Sequence, residues 1–253
     1  MQRNNKSSWE PVHRWYDGIV GEEGHYYHKE VILPALLSKW KFSEGNALLD
    51  IGCGQGIFAR QIPPTVEYYG VDISPSLIAS AKKQDKNTLH HYQASDACKP
   101  FTLKKSDFSH ALILLAFQNF PQPLEALKNI AKHLKEKGRL AIVLNHPCFR
   151  IPRQSSWGID EPKKLQYRRM DRYMSPLEIP IEAHPGKQDS EAKTISYHHS
   201  LTEISGWLKK AGFKIVEMQE LCSNKASSGS KAKMENRARE EFPLFLTLFC
   251  EKS

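Results

Sequence analysis

From Ala47 to Leu144 the chain alternates short strand-like runs, most of them apolar, with segments whose apolar positions recur at helical spacing. Ala47–Ile51 predicts a buried strand closing in Asp-Ile-Gly, where the backbone must turn. Ile57–Ile62 predicts a short helix stopped by Pro63 and Pro64. Tyr68–Ile73 is a second strand. Ser74 and Pro75 then supply an N-cap and a first-turn proline for a helix running to about Lys86. Leu89–Gln93 and Ser109–Leu115 make the third and fourth strands. Pro123–Lys135 places Leu124, Leu127, Ile130, Ala131 and Leu134 at helical spacing, with Gly138 just past its end; Arg139–Leu144 is the fifth strand. Such alternation means βαβ units, hence an α/β fold with a doubly wound, mostly parallel sheet.

After Asn145 the alternation breaks for more than fifty residues rich in proline, arginine, tyrosine and histidine. That is too long for an ordinary connection, and its large aromatics argue against disorder, so a functional elaboration is expected. The pattern resumes at Ser200–Ala211, where Ser200 and Glu203 have capping-box spacing and Gly212 ends the helix. Phe213–Glu220 and Pro243–Glu251 read as closing strands, separated by a Ser/Lys/Gly-rich stretch, Ser223–Lys233, expected to be flexible. The resulting division is an N-terminal lid over residues 1–44 and a domain over 45–253 with an insertion at about 145–200.

Composition changes little. With 253 residues, 40% hydrophobic and 25% charged, the chain suits an ordinary globular protein with a sizeable core. The longest apolar run, Ala111–Phe117, is too short to cross a bilayer, and MQRNNKSSWEP has no apolar leader. Five scattered cysteines show no CxxC or Cys/His ligand spacing, so no metal site is expected, and reduced thiols suit a cytoplasmic protein. The net charge of +8, densest near Lys163–Arg172 and Lys225–Arg239, keeps a nucleic-acid partner open.

The chemistry centres on LLDIGCGQG, Leu48–Gly56. A strand delivers Asp50 at its carboxyl end, and the glycines let a ligand sit against bare main chain there, where open α/β sheets bind their ligands. Asp72 ends the second strand, where a carboxylate can accept from ribose hydroxyls, and Asp96 follows the third, where an acid can meet an adenine amino group. A nicotinamide dinucleotide site wants its third glycine one position later. A plain structural turn would leave Asp72 and Asp96 unexplained.

These residues resemble the class I S-adenosylmethionine-dependent methyltransferases over Ala47–Leu144. The resemblance implies a seven-stranded Rossmann-like sheet, helices on both faces, and a last strand, Pro243–Glu251, running antiparallel beside the fifth and sixth. It implies S-adenosyl-L-methionine as cofactor, with Asp50 near the methionine amino group and Gly52, Cys53, Gly54 and Gly56 along the glycine loop. Asp72 would hold the ribose; Ile73, Asp96 and Ala97 would meet adenine; Ala116, Phe117 and Gln118 would flank the methionine portion.

The acceptor is less legible. AFQNFP lacks the Asn/Asp-Pro-Pro-aromatic loop of enzymes that methylate exocyclic base amines, and Cys148 lacks the second proline-cysteine of RNA cytosine methyltransferases. The whole chain looks like the smaller methyltransferases of soluble metabolites, with a lid at Trp15–His28 and the insertion closing a pocket. Tyr16 would cover the cofactor and Tyr27 the substrate. Arg150, Arg153 and Trp157 suit a planar or carboxylate-bearing acceptor, unless both arginines simply pair with Asp160, Glu161 or Asp171. His146, His28 and His25 are the candidate bases. An RNA methyltransferase using the basic insertion and a non-catalytic cofactor-binding protein are the alternatives.

Overall fold

A computed structural model describes residues 9–10, 24–182 and 193–253 of the chain. Within the lid, Tyr16 and the other residues of 1–8 and 11–23 lie outside the described residues. A π-turn over His28–Ile32 leads into α1 (Leu33–Lys39). Then follow β1 (Ala47–Ile51), a 3-10 turn at Phe58–Gln61, β2 (Glu67–Asp72), α2 (Pro75–Gln84), β3 (His90–Ala94) and β4 (Phe108–Leu114). Ser74 caps α2 by accepting from Leu77 N, with proline in the first turn, as the sequence predicts.

The next two expected elements meet earlier than their glycine suggests. Helix α3 covers Pro123–His133, and β5 runs from Leu134 to Asn145. Gly138 therefore lies inside a strand rather than capping a helix. The register with β4 shifts between Phe108 and His110, so the first residues of β5 pair before an irregularity that a helical pattern masks.

The insertion is two antiparallel hairpins, β6 (Ser155–Asp160) with β7 (Leu165–Met170), and β8 (Leu177–Glu182) with β9 (Lys193–His198). Period-two burial is present but chemically inverted. In β7 the more buried positions are Gln166, Arg168 and Met170, while Leu165 and Tyr167 face outward. Helix α4 (Leu201–Lys210) carries the expected Ser200–Glu203 capping box. It is followed by β10 (Phe213–Leu221), an unanticipated α5 (Ala232–Glu241) and β11 (Phe245–Lys252). Only Met234 and Ala238 of α5 are buried, too narrow an apolar stripe to announce a helix.

The main sheet has seven strands in the order β10-β11-β5-β4-β1-β2-β3. β11 is antiparallel to both neighbours, while β1, β2, β3, β4 and β5 pair in parallel. Successive residues of β1 feed opposite faces: Leu49 and Ile51 pack with Leu127, Ile130, Ile204 and Leu208 of α3 and α4, and Leu48 packs with Leu36, Trp40 and Ile78 of α1 and α2. Strand order reverses between β1 and β4. Ligand crevices of doubly wound sheets form at such a switch point.

Candidate active site

Past β1 the chain turns through Gly52, Gly54 and Gly56, with φ of 74°, 54° and 73°. Gly52 N donates to Val71 O at 2.7 Å, tying the loop across to β2. A Cβ on Gly52 would stand 2.3 Å from Ala116 Cβ, so the main chain here is bare because β4 leaves no room for more. Gly56 is pressed against Tyr92, whose hydroxyl would be 2.7 Å from an added Cβ. Cys53 is buried, its thiol pushed up by desolvation, then by Asp72 and Asp50. Cys53 and Gly56 shape the loop from behind.

Asp72 receives Gly54 N on Oδ2 and Ser74 N on Oδ1, both at 2.9 Å. Burial raises its pKa, and the backbone donors at Ser74, Gly54 and Ile73 oppose that rise. Asp50 is 2% exposed; Tyr68 Oη donates to its Oδ2 at 2.7 Å. Its Oδ1 is buried and has no hydrogen-bond partner among the described residues. Desolvation lifts the Asp50 carboxyl to about 7, against the Tyr68 hydrogen bond and helped by Asp72. Asp96 Oδ1 accepts from Cys98 N at 2.9 Å, turning the chain after β3.

Two clefts meet over this loop. One, of about 460 Å³, includes Ile73, Asp96, Ala97 and Phe120 in its wall. The other, of about 900 Å³, is lined by Gly54, Leu115, Gln118, Asn145 and His28, and by Pro152 and Ser196 of the insertion. Trp9, Gly52, Asp72, Ala116 and Asn119 line both. Gly52, Gly54, Asp72, Ile73, Asp96, Ala97, Ala116 and Gln118 therefore converge on one crevice, while Asp50, Cys53 and Gly56 line neither cleft. Trp9 and Asn119 were not legible as site residues, nor was Glu10. The Glu10 carboxylate accepts from Ser74 Oγ and from Ser76 N and Oγ, securing Trp9 beside the crevice.

The acceptor-side candidates separate. Arg150 lines a recess adjoining the larger cleft, its Cζ 5.0 Å from the Phe245 ring. Arg153 is exposed, 3.5 Å from Glu182. Trp157, 40% exposed, lies under Arg168 and edge-on to Phe242. Neither Arg153 nor Trp157 lines these clefts. Tyr27 packs on Phe245, and its hydroxyl lies 3.1 Å from Ser223 Oγ.

Of the histidines, His28 lines the larger cleft; burial, then His25, lowers its pKa to about 4, so its ring is neutral at pH 7. His25 is exposed and stands beside Tyr27. His146 lines none of the three spaces. Its Nδ1 accepts from Cys148 N at 3.2 Å and its Nε2 lies 2.8 Å from Glu220, so both ring nitrogens are engaged. The Cys148 thiol is pushed up by burial, unlike an activated nucleophile.

S-Adenosylmethionine fits what is present: bare main chain at Gly52, a carboxylate on β2, and a buried carboxylate oxygen on Asp50 lacking a donor. Fold and crevice together define a class I methyltransferase, the class whose methyl donor is S-adenosylmethionine. More specifically, the chain belongs to the methyltransferase-domain family, whose model matches residues 24–218.

Similar folds include an S-adenosylmethionine-dependent methyltransferase from Mesorhizobium loti, with a TM-score of 0.68 and 22% identity over 87% of this chain and 96% of that one. A Listeria monocytogenes protein described in the same terms gives 0.69 and 20%, with the same coverage of 87% and 96%. The glycopeptide N-methyltransferase MtfA, solved with S-adenosylmethionine, gives 0.56 and 13% over 87% and 92%. Among curated proteins nothing matches. No helix among the described residues is long and apolar enough to cross a membrane.

Proposed function

We propose that this protein transfers a methyl group from S-adenosylmethionine to a small-molecule acceptor. The observation that carries the reading is the meeting of two clefts at Gly52, Asp72 and Ala116, one bounded by Ile73, Asp96 and Ala97 and the other opening toward the insertion. The cofactor supplies a methyl group already activated on a sulfonium. Asp72 holds the ribose, Ile73, Asp96 and Ala97 the adenine, and Asp50 Oδ1 the ammonium of the methionine portion. Ala116 and Gln118 set the floor between cofactor and acceptor. Positioning is the chief contribution asked of the chain, worth up to about 7–11 kcal/mol in ideal cases.

His28 is the histidine suited to take the acceptor's proton. A ring whose pKa is about 4 is a weak base, yet a hydroxyl oxygen becomes strongly acidic as it gains a methyl. A polynucleotide acceptor has less support. Lys163, Lys164, Lys231, Lys233 and Arg237 gather around a separate groove, and none of them lines the clefts above.

Asp72→Ala tests the cofactor half of the reading. Removing charge-assisted hydrogen bonds weakens S-adenosylhomocysteine binding by about 1.5–3 kcal/mol, roughly 10- to 150-fold in Kd. An unchanged Kd by calorimetry contradicts the ribose assignment.

A further inference from the structure

A narrow recess lies beside the larger cleft and shares Gln118, Asn145, Pro152 and Ser196 with it. Among its wall residues, Arg150 Nη1, Gln118 Oε1 and both ring nitrogens of His199 are buried without a hydrogen-bond partner among the described residues. Native interiors rarely leave polar atoms unpaired, because each forfeits its hydration for nothing. Four around one recess mark a place shaped for a polar ligand.

Each of the three is held by something other than a polar partner for those atoms. The Arg150 guanidinium rests on the Phe245 ring and makes no ion pair with a described residue, whereas Arg153 pairs with Glu182 and Arg169 with Asp171. Gln118 Nε2 donates to Leu115 O at 2.6 Å. That bond fixes the amide, since flipping it would set two oxygens together, and so Oε1 stays an acceptor. His199 stands edge-on to Trp207, and its Nδ1 is 3.9 Å from Glu203 Oε1, too far for a hydrogen bond. Burial lowers the pKa of that imidazole, against Glu203 and helped by His198.

Arg150 calls for an anion, and Gln118 Oε1 for an N–H or O–H. Among the described residues lining the recess Arg150 is the one fixed cation, which matches a single negative charge and leaves the second charge of a phosphate monoester uncompensated. Gln118 lines both the recess and the larger cleft, so a molecule held at both points spans from one to the other. We infer that the recess is the anchor for an amino or hydroxy carboxylic acid, the methyl acceptor, with its carboxylate on Arg150 and His199 and its N–H or O–H on Gln118. This assignment rests on the methyltransferase reading and narrows its acceptor.

Two variants and a fixed set of probes test it. Thermal melting is followed for wild type, Arg150→Met and Arg150→Lys, each alone and saturated with S-adenosylhomocysteine. The probes are the common α-amino acids, their α-hydroxy analogues, and amino- and hydroxybenzoates, each beside its methyl ester. At least one acid should stabilise the wild-type cofactor complex, with its ester and Arg150→Met about ten- to hundredfold weaker and Arg150→Lys in between. Arg150→Met without probes should melt no lower than wild type, because relief of a buried cation without an ion pair offsets the lost contact with the Phe245 ring.

A lower melting point for Arg150→Met would make Arg150 a structural residue and overturn the inference. So would acids and esters acting alike, or silence across the whole set while S-adenosylhomocysteine itself stabilises. Failure of S-adenosylhomocysteine to stabilise wild type would instead strike the methyltransferase reading.

Discussion

Gly52→Val is expected to abolish cofactor binding, lowering affinity by on the order of a hundredfold or more. Two separate costs act at this position. With φ at 74° the residue is left-handed, which costs an L-residue about 1–2 kcal/mol and a β-branched one more. The added Cβ would also stand 2.3 Å from Ala116 Cβ, an atom fixed to the chain just past β4 that no rotamer change can move. Either the glycine loop or the end of β4 must shift, and both line the crevice. The control is Gly45→Ala. Gly45 has φ of 79° with nothing within 4 Å of its Cβ position, so it carries the backbone cost alone. That variant should lose a few degrees in melting temperature while keeping cofactor affinity. A Gly52→Val protein that binds S-adenosylhomocysteine as wild type does would show that the crevice is not built on this loop.

Asp50→Asn is expected to weaken the cofactor by about 1.5–3 kcal/mol at pH 8 and to flatten the dependence of affinity on pH. Burial holds the Asp50 carboxyl at about 7, above its unfolded value. A raised carboxyl contributes stability that is fully present below the unfolded pKa of about 3.9 and is lost as pH rises through 7. The ligand-free protein therefore loses stability over that window on account of Asp50. Binding of an ammonium runs the other way, because it needs the ionised carboxylate. Affinity should rise up to about tenfold per pH unit until pH 7 and then level off. Asp72 is also raised and is coupled to Asp50, so the test is whether the rise that ends near pH 7 disappears in Asp50→Asn. Parallel curves would remove Asp50 from the ammonium site.

Sequence and structure agree best where one physical cause controls both. β1, β2, β4 and the second half of β5 are mostly apolar and buried on both faces, and the turn at Ser74–Pro75 and the cap at Ser200 are local chemistry that needs no tertiary context. The glycine loop and the acids after β2 and β3 were legible for a related reason. Strand ends in a doubly wound sheet converge, so residues distant in sequence share one crevice once the strand order is known.

Legibility fails where tertiary packing reverses local preference. Arg168 is the inward residue of β7 because its guanidinium donates to Phe149 O and Ser155 Oγ, which no apolar period signals. Arg150 and Arg153 look equivalent in the sequence. Only the hairpins reveal that Arg153 has a carboxylate at hand in Glu182 while Arg150 has an aromatic ring. His146 was attractive for its place at the end of β5, yet the turn after it consumes one nitrogen and Glu220 faces the other. Trp9 and Glu10 sit in a polar stretch with no periodicity. Their proximity to the crevice depends on Ser74 and Ser76, more than sixty residues away.

The most direct measurement is an isothermal titration of the full chain with S-adenosylmethionine at pH 8, paired with its melting curve. The expected result is one saturable site per chain and a melting point that climbs with ligand concentration. Absence of heat together with an unmoved melting point would mean that the crevice between Gly52, Asp72 and Ala116 does not hold this nucleoside.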